Sequence, residues 1–113
     1  MHEYSIVQAL VERVGMEARA QGATVVHRLS IRVGELSGVD PDLLASAYDT
    51  FRERTICEGA QLDLLIVPAR WECPECERVI QRGEVLTCPA CDLPARLSQG
   101  DEIMLDRIEL EVP

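Results

Sequence analysis

Two Cys-Pro-x-Cys pairs, Cys73-Pro74-Glu75-Cys76 and Cys88-Pro89-Ala90-Cys91, stand eleven residues apart in a chain of 113. Thiolates at this spacing reach one ion from a single tight turn, and two facing turns supply the four sulfurs of a tetrahedral zinc site. Pro74 and Pro89 suit such turns, since proline fixes φ and removes a backbone donor. Two disulfides and a rubredoxin-like iron site use the same cysteines. Reduced thiols in an intracellular setting weigh against the first, and the absence of glycine directly after Cys76 and Cys91 against the second. Four thiolates leave no open position for water or substrate, so the metal is expected to be structural. A segment this short has no core of its own, and zinc-finger peptides gain on the order of 10 kcal/mol or more from their ion.

Cys57 stands apart from these four and reads as a buried free thiol. The net charge of -9 argues against nucleic acid, whose binding draws on lysine and arginine. Even between Trp71 and Cys91, Glu72, Glu75, Glu77 and Glu84 outnumber Arg78 and Arg82. All eleven basic residues are arginine, which reads as compositional bias. The start carries no positive leader and no apolar run nears the roughly 20 residues of a membrane span, so the expected location is the cytoplasm.

Apolar periodicity predicts a helix over about Ser5–Gln21, with Val7, Leu10, Val11, Val14 and Ala18 on one stripe. Ser5 and Gln8 are its expected capping box and Gly22 its stop. Alternation then predicts a strand over Thr24–Val33 with Val25, His27, Leu29, Ile31 and Val33 inward, His27 as a hydrogen-bonded core or edge residue. Asp40 and Pro41 open a second helix to about Arg54, with Leu44, Ala47, Tyr48 and Phe51 inward. Further strands are expected over Ala60–Val67 and over Glu102–Val112, the latter joining the sheet through Ile108, Leu110 and Val112, and Trp71 is expected to pack on the first knuckle. The expected fold is α+β: a small mixed three-stranded sheet with two helices, carrying an inserted four-cysteine zinc-ribbon-like domain. The boundaries are 1–69 with 99–113 for the first domain and 70–98 for the insert.

His2 reads most simply as an exposed terminal residue. Its position also permits a second metal site. The Met1 amine, the ionised His2 amide and the His2 imidazole form fused chelate rings, a donor set that favours square-planar nickel(II) or copper(II). Glu3 can complete the square with its carboxylate or its backbone nitrogen.

Taken together, Met1-His2-Glu3-Tyr4-Ser5, the run from Arg32 through Gly34-Glu35-Leu36-Ser37-Gly38 to Pro41, the Glu58-Gly59-Ala60 turn and the paired cysteine motifs strongly resemble the HypA/HybF family of nickel-incorporation proteins of hydrogenase maturation. The resemblance spans essentially the whole chain. It implies a cytoplasmic nickel metallochaperone that is not an enzyme. The implied partners are the GTPase HypB, the large subunit of [NiFe]-hydrogenase and, in some organisms, urease accessory proteins. It places nickel, as transient cargo, on His2 with Met1 and Glu3, and structural zinc on Cys73, Cys76, Cys88 and Cys91. Neither nucleic acid nor a membrane is an expected partner, and the chain is expected to be a monomer or weak homodimer. Tyr4 departs from a position where many relatives carry leucine, and the knuckles lack their following glycines. The competing reading is a zinc-ribbon adaptor for protein or nucleic acid with an incidental His2. An enzyme fares worse, since His2, His27 and a saturated thiolate site supply no acid, base or open metal position.

Overall fold

In the computed structural model, which describes residues 2–113 apart from the His2 side chain, helix α1 spans His2–Ala20. Val7, Val11, Val14 and Ala18 line its buried stripe. It ends as expected: Gly22 takes φ 67°, and Ala23 N–H reaches back to the Ala18 carbonyl at 2.8 Å. The start differs from expectation. The helix begins three residues before Ser5, which lies within the helix, and Gln8 turns to Glu12 at 3.5 Å. The cause is tertiary: the Glu3 carboxylate accepts Asp40 N–H at 3.2 Å, tying the first turn to the rest of the body. An acidic residue there also complements the amides of the helix start.

Strand β1, Val25–Gly34, is the centre of a sheet ordered β2-β1-β6, where β2 is Gln61–Val67 and β6 is Ile103–Glu111. β2 runs parallel to β1 and β6 antiparallel, so the sheet is mixed as expected. The parallel pair needs a crossover, supplied by helix α2, Pro41–Phe51. Asp40 caps α2 by accepting from the amides of Asp42 and Leu43 at 2.9 and 3.3 Å. α2 stops short of Arg54, which adopts φ 64°, while the Thr55 hydroxyl caps the Arg52 carbonyl at 2.6 Å.

His27 is not on the inward face. The register against β6 shifts between Val26 and Arg28, so Val26 is buried while Val25 and His27 face solvent. There His27 pairs with Glu111 at 2.9 Å. Val112 lies beyond β6 and is exposed, so the last strand joins the core through Ile108 and Leu110. One core binds α1, α2 and β1, with Tyr48 and Cys57 inside it. The Tyr48 hydroxyl donates to the Ala60 carbonyl at 2.9 Å, and burial pushes its pKa up to about 12. Cys57 is a fully buried free thiol, as expected, and burial raises its pKa too.

Between β2 and β6 the insert builds a second sheet, ordered β4-β3-β5 and antiparallel throughout. Its strands are β3 Arg70–Glu72, β4 Val79–Ile80 and β5 Arg96–Gln99. Trp71 of β3 lies opposite Ile80 and Leu97. The radius of gyration is 17.9 Å. A single compact body of this length would have about 13 Å, so the insert projects as a lobe. No described helix is long and apolar enough to cross a membrane.

Candidate metal centre

β3 runs directly into the first knuckle. Cys73 N–H donates to the Arg78 carbonyl at 2.9 Å, and Glu77 N–H to the Cys73 carbonyl at 3.0 Å. The second knuckle repeats the pattern: Cys88 N–H donates to the Leu93 carbonyl and Asp92 N–H to the Cys88 carbonyl, both at 2.8 Å. Backbone amides also address the sulfurs, from Glu75 to Cys73 Sγ and from Cys91 to Cys88 Sγ, each at 3.4 Å. Such N–H donors stabilise negative charge on a thiolate.

The missing glycines are explained here. Glu77 and Asp92, each directly after a knuckle's second cysteine, adopt φ of 63° and 55°. They take the left-handed conformation that glycine would take more cheaply, at about 1–2 kcal/mol each. The knuckles therefore open in the usual manner despite the sequence, so, contrary to expectation, the absent glycines do not weigh against a rubredoxin-like iron site.

All four Sγ atoms lie within 4.8 Å of one another, and Cys76 Sγ is 3.7 Å from Cys88 Sγ. Ligands about 2.3 Å from a tetrahedral zinc ion sit about 3.8 Å apart, so the donor set fits zinc. A disulfide would need about 2.05 Å. As free thiols, Cys88 and Cys91 are shifted in opposite directions. The Cys91 backbone N–H, opposed by burial, lowers Cys88 to about 7, while hydrogen bonding with Cys76 and burial push Cys91 up to about 12. Sulfurs packed this closely ionise together only around a cation, which is what a metal site supplies. Cys73 and Cys88 are buried, Cys91 is half-buried and Cys76 is exposed.

The structure thus brings the four expected zinc ligands together. The expected nickel ligands Met1 and the His2 imidazole lie outside the described residues. Of that set Glu3 is described, its carboxyl held below the usual range first by its own backbone N–H and then by that of Asp40. Its place in the fold is informative. β1 and β2 are parallel, so the lobe departs from the end of the sheet where β1 finishes. Asp40, whose N–H holds Glu3, lies six residues past Gly34 in the connection that leaves that end. Sequence reasoning missed Glu35 in that connection, whose carboxylate accepts Ala69 N–H at 2.8 Å and pairs with Arg82 of the lobe. No local pattern flags a contact between residues this far apart.

Comparison with known proteins is consistent across sequence and structure. Residues 1–110 match the family model described as "Hydrogenase/urease nickel incorporation, metallochaperone, hypA". A hydrogenase maturation factor HypA of Shewanella baltica is 41% identical, covering 98% of this chain and 97% of its own. The corresponding factor of Aquifex aeolicus is 37% identical, covering 99% of each. The solution structure of the nickel metallochaperone HypA from Helicobacter pylori superposes with a TM-score of 0.73 at 30% identity, covering 98% of both chains. A second HypA solution structure reaches 0.82 at 31% identity, covering 100% of this chain and 98% of that one. The chain belongs to the HypA family of hydrogenase and urease nickel-incorporation metallochaperones.

Proposed function

We propose that this chain binds nickel(II) at its N-terminus as cargo, in the cytoplasm, and passes it, with the GTPase HypB, to the large subunit of [NiFe]-hydrogenase. The donors are the Met1 amine, the His2 amide and imidazole, and a fourth group from Glu3. The observation that carries this reading is the start of α1 at His2. The first four amides of a helix have no carbonyl one turn earlier to bond. Ionising the His2 amide for a square-planar metal therefore breaks no helical hydrogen bond. Glu3 offers either its backbone nitrogen or its carboxylate as the fourth donor, the carboxylate accepting from its own backbone N–H and from that of Asp40. Zinc in the four-thiolate site is the structural partner of this arrangement; when bound, it closes the two knuckles around one point. Residues 1–69 with 99–113 then form the nickel-carrying domain and 70–98 the zinc domain.

Calorimetric titration of nickel into untagged protein with its native Met1 and a full zinc complement tests the reading. One nickel is expected at micromolar affinity or tighter, and His2→Ala is expected to lose it while keeping its circular dichroism. Equal binding by the variant would remove the terminal site from consideration.

A further inference from the structure

The lobe joins the body through two chain crossings, and both are held by the end of β1. Glu35 N–H donates to the Val67 carbonyl at 2.8 Å on the way out. Leu36 N–H donates to the Gly100 carbonyl at 2.7 Å, and Gly34 N–H to the Glu102 carbonyl at 2.8 Å, on the way back. The crossings touch: a Cβ on Gly100 would lie 2.7 Å from Ala69 Cα. Two adjoining strands make a narrow waist, and a body attached along one line can rock about it. A third contact, off that line, is needed to set its orientation.

Arg82 supplies such a contact. It sits midway between the knuckles, six residues from Cys76 and six from Cys88, and its guanidinium reaches back to Glu35 Oε1. The same oxygen accepts Ala69 N–H at 2.8 Å, so one carboxylate ties the waist to the segment between the two knuckles. Hydrogen bonding from Arg82 and then from Ala69 holds the Glu35 carboxyl below its usual range, keeping it charged for the pair. Glu35 also opens the connection to Asp40, whose amide holds Glu3.

The geometry points to Glu35 and Arg82 as a latch that fixes the orientation of the four-cysteine lobe on the α+β body. This does not rest on where nickel binds. Both are positioning residues, and their removal leaves the metal ligands and both sheets intact. Glu35→Gln keeps an acceptor for Ala69 N–H but loses the charge, and Arg82→Gln changes a largely exposed side chain.

The test is residual dipolar coupling on zinc-loaded protein, comparing amides of the two sheets. In the unaltered chain one alignment tensor should fit both. In Glu35→Gln and in Arg82→Gln the lobe should lose the common tensor, with one zinc per chain retained and the amide shifts of β1 and β6 away from the waist unchanged. The double variant should loosen no further than either single one, and Arg82→Lys should restore the common tensor at low salt. A common tensor surviving in both single variants would overturn the latch. So would further loosening in the double variant, since the two residues would then act separately.

Discussion

Cys73→Ser should release the metal and unfold the lobe while leaving the α+β body folded. The asymmetry follows from where apolar surface is buried. Within residues 70–98 the buried side chains are Cys73, Ile80 and Cys88, two of which belong to the four-cysteine cluster. A three-stranded sheet of two to four residues per strand gains little by itself. Structural zinc in comparable peptides contributes roughly 10–16 kcal/mol, enough to be the whole of the lobe's stability. The buried cluster of the body, by contrast, draws on α1, β1, α2 and the 57–60 turn and takes no residue from the lobe. In a two-dimensional amide spectrum, signals of residues 70–98 should collapse toward random-coil positions, and those of β1 and β6 should stay dispersed. Metal analysis should read close to zero per chain. Dispersed lobe signals in a metal-free variant would show that the short sheet folds unaided.

The cysteine cluster, the end of α1 and the start of α2 were legible in the sequence because their determinants are local. Four cysteines at fixed spacing, the Asp40-Pro41 helix start and the Gly22 stop each depend on a few consecutive residues, and each behaves as its chemistry dictates. What was not legible depends on residues far apart in sequence. His27 leaves the inward face because β6 pairs with a shifted register. α1 starts at His2 and not at Ser5 because Glu3 finds Asp40. The strands of the lobe are too short to show a period. Glu77 and Asp92 defeat a simple composition rule: the left-handed turn is required, and glycine is only its cheapest occupant. Glu35 and Arg82 meet across 47 residues, which a single chain of letters does not record.

Gly34→Ala should be among the most destabilising single-atom changes available to the body, at about 3 kcal/mol or more. A Cβ there would lie 2.3 Å from the Gly100 carbonyl oxygen, 2.4 Å from its carbon and 2.8 Å from the Asp101 nitrogen. All three are backbone atoms, so no rotamer change relieves the clash. Gly100 cannot easily retreat. Its φ of 100° and its approach to Ala69 already require glycine, and its carbonyl accepts Leu36 N–H. The methyl group therefore has to pry β1 from the returning strand, breaking the bond from Gly34 N–H to the Glu102 carbonyl. Gly15→Ala is the matched control, because the same atom is added in the interior of α1 with its nearest neighbour the mobile end of Arg19 at 3.7 Å. There the helix should gain up to about 1 kcal/mol. Urea denaturation followed by circular dichroism on zinc-loaded protein should thus move the body's midpoint in opposite directions for the two variants. A Gly34→Ala midpoint within error of the unaltered chain would mean that the waist yields, and that β1 does not clamp the returning strand.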